Sequence, residues 1–412
     1  MPGRRLQRKA EDMAADTHLA LLGVKMQETA FWELKKEKES IPSEYSLTVY
    51  GQAYKGRKRG ILMGSKVSNF GRTADGKEVS LVTMVNRNGM GIEVMNYGAT
   101  LVAVTVPDRN GKTDDVLLGY EDVTDYITHG GYLGAVIGRN GNRIGEAKVT
   151  IDGKEYCLDD NENGNNLHSG FVGYDSVLWD MEIPDGEQAV KFTYHSKDGE
   201  QGFPGNFDIT VTYTLTDENE VKIHYCGESD QDTIANLTNH SYFNLGGHGS
   251  GEVLEQTMWI DSDAITVTDA ASIPTGEIRD IQGTPMDFNT AKKIGRDIEA
   301  DYDQLKLACG YDHNYVLKNQ GIGVRKIAEA CDGKSGRVME VFTDCAGVQF
   351  YTGNFIDQDS IGKGGAVYQP RHGFCLETQF YPDANHHENF PSSILKAGEK
   401  YDTTTIYKFS TK

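Results

Sequence analysis

The sequence predicts an all-β protein, built as a large antiparallel sandwich with few short helices. Many short segments are rich in β-branched and aromatic residues, and several alternate apolar with polar side chains. Glycine, asparagine and aspartate separate these segments at turn-like positions. Strands do not alternate with long helical patterns, which argues against a parallel α/β sheet. The 412 residues allow one large β domain or two ordinary domains.

The first clear strand patterns lie in the N-terminal half. Residues 92–97 (IEVMNY) alternate apolar with less apolar side chains, and residues 101–106 (LVAVTV) are mostly β-branched. The Asn-Gly pair at 110–111 is typical of a hairpin turn. The Asp-Gly pair at 152–153 has strand-like residues on both sides, so we predict a second hairpin there.

The same pattern continues to the C-terminal end of the chain. Residues 207–215 (FDITVTYTL) and 220–225 (EVKIHY) flank the turn residues 217–219 (DEN). Residues 347–351 (GVQFY) and 405–409 (TIYKF) have the same β-rich composition. This number of short strands favours a sandwich.

Helical patterns are few. Residues 291–305 are the best helix candidate, and residues 122–126 fit a single turn. We expect residues 239–245 (NHSYFNL) to form a strand that ends in a turn. Residues 373–379 (GFCLETQ) form an apolar run that contains one carboxylate, Glu377. A carboxylate in such a run is costly to bury unless it has partners or a task.

Charge and composition exclude several classes of protein. The formal net charge of −20 argues against sequence-independent binding to nucleic acid or to an anionic membrane. No apolar run approaches the ~20 residues that span a bilayer. Six cysteines lie far apart without a CxxC pair, which favours reduced thiols in a cytoplasmic protein.

The N-terminal stretch differs from the rest of the chain. Residues 1–60 carry 12 Lys+Arg and 8 Asp+Glu, a net charge of +4 in an otherwise acidic protein. An apolar stretch typical of a signal peptide does not follow the first arginines. We therefore predict an N-terminal extension at residues 1–65, a single β domain at residues 66–412 and a cytoplasmic location.

Polar and ionisable side chains recur in five strand-and-turn segments, joined by the carboxylate of Glu377. Amide, guanidinium, imidazole and carboxylate groups of this kind match the alternating donors and acceptors of sugar hydroxyls. His240 and Glu377 come from distant parts of the chain and together offer a proton donor and a proton acceptor, the minimum for general acid–base catalysis. The five segments are residues 138–144 (GRNGNRI), 165–170 (NNLHSG), 239–245, 310–315 (GYDHNY) and 347–354 (GVQFYTGN).

These segments, in this order, resemble the aldose 1-epimerase (galactose mutarotase) family. The resemblance runs from about residue 67 to the C-terminus and includes the closing GEKY at residues 398–401. Departures from the family pattern are small, at residues 140–141 and at Ser169. The resemblance implies a galactose mutarotase-like β-supersandwich that interconverts the α and β anomers of free aldoses without a cofactor or metal.

The resemblance also implies roles for individual residues. His240 is the expected general acid and Glu377 the expected general base. Mutual attraction should favour the charged form of each and raise the pKa of His240. The residues expected to line the sugar site are Asn142, Arg143, His168, Asp312 and Gln349.

Three other functions compete with this hypothesis. A sugar-binding sandwich without activity would not require both His240 and Glu377. An epimerase acting on a phosphorylated hexose would need more cations near Arg143, and only Arg139 and Arg371 lie close to the motifs in sequence. A hydrolase could use Asp312 and Glu377 as its two carboxylates, but His240 would then lack a task. The expected partner is a small-molecule aldose, and both a monomer and a homodimer fit the sequence.

Overall fold

The computed structural model describes residues 64–186, 188–356 and 361–412. The predicted N-terminal extension, residues 1–65, lies outside these ranges except for Gly64 and Ser65. Every strand and helix of the described ranges falls within the predicted domain at residues 66–412. The boundary between extension and domain remains a prediction.

Strands dominate the described residues, which contain two short helices. The helices are α1 (Val123–His129) and α2 (Asp303–Ala308). The strands of the first half are β1 (Lys66–Arg72), β2 (Glu78–Val85), β3 (Gly91–Met95), β4 (Leu101–Pro107), β5 (Thr113–Asp115), β6 (Val136–Ile137), β7 (Arg143–Ile144), β8 (Lys148–Ile151), β9 (Lys154–Cys157), β10 (Asn166–Leu167), β11 (Asp180–Glu182), β12 (Ala189–Ser196), β13 (Phe207–Leu215) and β14 (Glu220–Ser229). The strands of the second half are β15 (Thr233–Ile234), β16 (Thr238–Asn239), β17 (Thr257–Ile260), β18 (Ser262–Thr268), β19 (Pro274–Asp280), β20 (Lys292–Lys293), β21 (Asp312–Leu317), β22 (Arg325–Cys331), β23 (Arg337–Thr343), β24 (Gly347–Tyr351), β25 (Cys375–Gln379), β26 (Ile394–Leu395) and β27 (Lys400–Thr411).

Three large sheets hold most of the strands. A nine-stranded sheet has the order β11-β12-β13-β14-β27-β23-β22-β17-β20, and two five-stranded sheets have the orders β1-β2-β3-β4-β5 and β19-β18-β21-β24-β25. Four two-stranded ladders, β7–β10, β8–β9, β6–β16 and β15–β26, complete the described part. All pairings between these strands are antiparallel, for example β13 with β14 and β14 with β27, which confirms the predicted antiparallel all-β class.

One hydrophobic core is shared by the three large sheets. Val94 of β3, Tyr213 of β13 and Phe350 of β24 all belong to it and are fully buried. Strand β13 buries every second residue, as its alternating sequence predicts. The predicted Asp-Gly hairpin is confirmed, because Asp152 and Gly153 connect β8 to β9 with φ angles of 50° and 78°.

Two local predictions were wrong. Residues 291–305 are not one helix, because Lys292–Lys293 pairs with β17 and a 3₁₀ turn follows at Ile294–Arg296, so the only α-helix there is α2. Residues 239–245 form a strand only at their first residue, in β16, although the predicted turn is present at Leu245. By contrast, the predicted turn at residues 122–126 is confirmed, since Asp122 accepts a hydrogen bond from the Thr124 N–H and caps α1.

The register of β21, β24 and β25 determines which side chains share a face. Gln349 pairs with Asn314 on one side and with Glu377 on the other. Because side chains alternate along a strand, these residues face away from the core side chains of Phe350 and Leu376. The sheet therefore carries polar groups on one face and the core on the other. No helix within the described ranges has the length and apolarity that crossing a membrane would require.

Candidate active site

A cavity of about 500 Å³ brings together most of the predicted site residues. Gln349 is the exception, because it does not line the cavity, and its Nε2 donates a hydrogen bond to Asp312 Oδ1 over 2.7 Å. The cavity is thus built from segments far apart in sequence, as the sequence analysis expected. The predicted residues that line it are Asn142, Arg143, His168, His240, Asp312 and Glu377.

His240 and Glu377 face each other at the buried end of the cavity. The Nε2 atom of His240 lies 3.7 Å from Oε1 of Glu377, and only 6% and 3% of the two side chains are exposed. The backbone holds His240 in place, because its N–H donates to Ala135 O over 2.9 Å. The Oε2 atom of Glu377 is buried and has no hydrogen-bond partner in the protein. An unpartnered carboxylate oxygen of this kind is available to a ligand.

Aromatic rings and a thiol hold the His240 imidazole. The ring of Tyr242 stacks on it at a centroid distance of 4.9 Å, and the ring of Tyr132 stacks at 5.8 Å. The Sγ atom of Cys375 lies 3.5 Å from Nδ1 of His240. The imidazole therefore has a partner at Nδ1, and its Nε2 is directed to Glu377.

The charge state expected for this pair from the sequence is wrong. Burial lowers the pKa of His240 to about 4 instead of raising it. Burial, with a contribution from the nearby Asp312, raises the pKa of Glu377 well above its usual value, although Arg143 opposes the rise. Loss of hydration outweighs mutual attraction for two groups so deeply buried. Burial therefore favours a neutral imidazole beside a protonated carboxyl.

His168 is locked in one neutral form by the backbone. Its Nδ1 accepts a hydrogen bond from the backbone N–H of Asn142 over 3.1 Å, and the backbone N–H of His168 donates to Asn142 O over 3.1 Å. Burial, the neighbouring His240 and Arg143 all lower the pKa of His168. A neutral imidazole that accepts at Nδ1 carries its proton on Nε2. His168 is therefore a fixed hydrogen-bond donor.

The same tautomer decides whether the site suits a metal ion. Potential ligand atoms of His168, His240 and Glu377 lie within 4.8 Å of one another. The lone pair of His168 Nδ1 is already used by the Asn142 N–H, and Nε2 carries the proton, so His168 has no lone pair left for a metal. The donor set of these three residues therefore fits a polar organic ligand better than a cation.

Arg143 is held by a partner that the sequence analysis missed. Glu162 accepts from Arg143 Nε over 2.6 Å and from Nη2 over 2.9 Å. Burial acts against the charge of Arg143, but Asp312, Glu162 and Glu377 together raise its pKa. Burial raises the pKa of Asp312, while Arg143 and Gln349 oppose the rise. The guanidinium is thus fixed in direction and stays charged.

Other site residues were also missed, and one had a signal in the sequence. Cys375 lies two residues before Glu377 in β25, so the period-two rule places both on one face. Tyr351 pairs with Cys375 across β24 and β25 and lines the cavity. Tyr132 and Tyr242 lie outside any strand. Tyr242 belongs to the predicted segment at residues 239–245, although no role was predicted for it, and no local pattern marked Tyr132.

The two other arginines near the motifs do not face the cavity. Arg139 is fully buried and donates to Pro204 O over 2.7 Å and to the Ser196 hydroxyl. Arg371 pairs with Glu299 at 3.0 Å. Of these three arginines, only Arg143 lines the cavity. The cation cluster that a phosphorylated substrate would need is not assembled by these side chains.

Comparison with known proteins points to one family. The sequence profile described as aldose 1-epimerase matches residues 80–408. Galactose mutarotase from Bos taurus is 43% identical over 319 residues, covering 77% of this chain and 91% of the relative. Aldose 1-epimerase from Escherichia coli (strain K12) is 36% identical over 337 residues, covering 81% of this chain and 96% of the relative.

Solved structures have the same fold. An aldose epimerase homologue from C. elegans has a TM-score of 0.75 and 28% identity, covering 81% of this chain and 99% of the homologue. Galactose 1-epimerase from Lactobacillus acidophilus NCFM also has a TM-score of 0.75, with 26% identity, covering 85% of this chain and 99% of its own. The predicted galactose mutarotase-like β-supersandwich is confirmed.

Proposed function

The chain belongs to the aldose 1-epimerase family, and we propose that it interconverts the α and β anomers of free aldoses, including galactose and glucose. The proposed reaction is an isomerisation by acid–base catalysis that requires no cofactor. The observation that carries the proposal is the buried His240–Glu377 pair, whose Nε2 and Oε1 atoms are 3.7 Å apart beside a cavity lined by sugar-compatible polar groups.

The reaction needs one proton removed and one proton added. A cyclic aldose is a hemiacetal, so ring opening removes the proton of the C1 hydroxyl and protonates the ring oxygen. Glu377 takes the first proton and His240 Nε2 supplies the second, while the bond between C1 and the ring oxygen breaks. Rotation about C1–C2 then presents the other face of the aldehyde. Ring closure reverses both transfers, so the enzyme ends each turnover with its original protons.

The resting pair already contains the proton that this cycle needs. Burial favours a protonated Glu377 and a neutral His240. Transfer of that proton from the carboxyl to Nε2 creates a carboxylate base and an imidazolium acid without exchange with solvent. A bound sugar favours this transfer, because its C1 hydroxyl donates to the carboxylate and its ring oxygen accepts from the imidazolium.

The remaining polar groups suit the task of holding the sugar through ring opening. Arg143, fixed by Glu162, and the Nε2–H of His168 are donors of constant direction. Asp312, bound to Gln349, is an acceptor. Contacts of this kind keep the open-chain aldehyde in place, so that closure competes with release.

The competing functions have less support. Arg139 and Arg371 point away from the cavity, which disfavours a phosphorylated hexose. A binding module has no need for a buried acid–base pair, and a hydrolase leaves His240 unused. We further propose that the enzyme acts on free hexoses in the cytoplasm, as part of galactose and hexose metabolism. The six free thiols of the chain support that location.

Polarimetry with α-D-galactose tests the proposal. Wild-type protein should speed the approach to anomeric equilibrium, and Glu377→Gln should lower kcat by roughly 10²–10⁴-fold with little change in KM. Glu340→Gln is the matched control, because Glu340 lies in β23 outside the cavity and should behave as wild type. Near wild-type turnover by Glu377→Gln would show that the assigned base is wrong. No acceleration by wild type would refute the activity for this sugar.

A further inference from the structure

We propose that Cys375 is a positioning residue that holds the ring proton of neutral His240 on Nδ1, by accepting a hydrogen bond from Nδ1–H, and so leaves Nε2 as the nitrogen that exchanges a proton. The inference rests on the proposed function, because it explains how one of two neighbouring histidines can act as the acid. Cys375 does not line the cavity, and its thiol is not expected to touch the sugar.

The geometry places the thiol where it can act on His240. Sγ lies 3.5 Å from Nδ1, within the range of sulfur hydrogen bonds, and Cys375 is fully buried. Its position in β25, two residues before Glu377, makes the same strand hold the thiol on one side of the imidazole and the carboxylate on the other. Tyr132 and Tyr242 stack on the ring and restrict its rotation.

The protonation state at Nδ1 decides what Nε2 can do. If Nδ1 carries a proton, the neutral imidazole has a lone pair at Nε2, which can receive a proton from Glu377 and pass it to the ring oxygen. If Nδ1 lacks a proton, Nε2 already carries one in the neutral ring and cannot receive another. A productive cycle therefore needs an acceptor at Nδ1.

His168 shows the opposite arrangement in the same cavity. Its Nδ1 faces a backbone N–H, from Asn142, which can only donate. That contact holds the proton on Nε2 and makes His168 a permanent donor. A thiol sulfur can accept, so it permits Nδ1–H at His240. The ring centroids of the two histidines are 5.3 Å apart, so both imidazoles lie in the same buried surroundings. We therefore attribute the difference in their tautomers to their partners at Nδ1.

A sulfur acceptor at Nδ1 also suits the role of His240, whose imidazolium must give up its Nε2 proton easily. A carboxylate at Nδ1 would stabilise the imidazolium and make it a weaker acid. The thiol of Cys375 is neutral, because burial raises its pKa well above the usual range. The ionisable groups that surround His240 in this structure are Glu377, Cys375, His168, Tyr132, Tyr242 and Tyr351.

Nitrogen-15 NMR of the imidazoles tests the inference without relying on activity. In wild-type protein at neutral pH, His240 should be protonated at Nδ1 and His168 at Nε2, so one spectrum contains both tautomers. Cys375→Ala should shift His240 towards the Nε2–H tautomer. Cys375→Ser should restore the wild-type tautomer, because a hydroxyl oxygen also accepts. Finding His240 protonated at Nε2 in wild type would overturn the inference.

Kinetics supply the second readout and a matched control. Cys375→Ala should lower kcat by about tenfold with KM unchanged, and Cys375→Ser should recover most of the loss. Cys345→Ala removes another buried thiol from outside the cavity and should leave kcat unchanged. A Cys375→Ala variant with wild-type kcat, pH profile and tautomer would refute the inference while leaving the proposed function intact.

Discussion

The charge state of His240 and Glu377 can be decided by one substitution. The structure indicates that burial dominates and that it favours two neutral groups. If the two groups formed an ion pair, replacing Glu377 by glutamine would lower the pKa of His240. We predict that Glu377→Gln changes the pKa of His240 by less than about one unit.

An ion pair between His240 and Glu377 would give a much larger change in the pKa of His240. Two full charges separated by the observed 3.7 Å would interact by about 4 kcal/mol at an effective dielectric constant of ~20. Removing the carboxylate charge would then lower the pKa of His240 by about 3 units. The pKa of about 4 for His240 lies well below the unperturbed value of ~6.5, which corresponds to about 3 kcal/mol against the imidazolium. At pH 7 roughly one molecule in a thousand would carry that charge.

The assay is an NMR titration of the imidazole carbon–proton resonances between pH 8 and pH 3. The His240→Asn variant assigns the resonance, and the exposed His195 is an internal standard for a histidine next to a carboxylate. A His240 pKa above 6 in wild type, lowered by several units in Glu377→Gln, would show an ion pair and contradict a neutral pair. A His240 that stays charged from pH 8 to pH 3 would also contradict it.

Two further predictions concern stability. Burial lowers the pKa of His313 to about 4, so between pH ~6.5 and pH 4 the unfolded state binds more protons than the folded state. The free energy of unfolding should therefore decrease as the pH is lowered through this window. His313→Asn should remove about 3 kcal/mol of this decrease, measured by urea unfolding at pH 7 and pH 4. An unchanged pH dependence in the variant would contradict this. Asn142 has a φ of 63°, so Asn142→Ala should unfold about 1 kcal/mol more easily than Asn142→Gly, and equal stabilities would argue against left-handed strain at this position.

Regular strands were predictable because their signals are local. The segment at residues 207–215 alternates with period two, and the structure has a strand of these bounds. The turn at Asp152 and Gly153 is specified by two residues that tolerate a positive φ. Neither feature depends on distant parts of the chain, so sequence patterns suffice.

The segment around His240 was not predictable in the same way. Its backbone is extended but pairs with single residues from several other segments, such as Phe243 with Phe374 and with Leu117. The side-chain amide of Asn244 donates to Gly251 O and to His372 O, so side-chain hydrogen bonds hold this segment where a regular strand ladder is absent. The polar residues that suggested a strand ending in a turn are used for these long-range contacts.

Six of the residues that line the cavity were predicted from the sequence, but their electrostatics were not. His240 and Glu377 were predicted to lie together and to carry opposite charges. Burial is a property of the assembled cavity, and no sequence pattern measures it. Glu162 was missed for a related reason, because its role depends on the folding of its loop against Arg143.

The shared register of β24 and β25 makes the proposed catalytic face a sensitive reporter of correct folding. A shift of one residue in β25 would turn Glu377 towards the core and bring Leu376 or Thr378 to the cavity. The same shift would move Cys375 away from His240. A misaligned molecule could keep most of its β-structure and still lose the contacts that the proposed proton transfer needs. Specific activity would then measure the fraction of correctly paired chains more sharply than circular dichroism does.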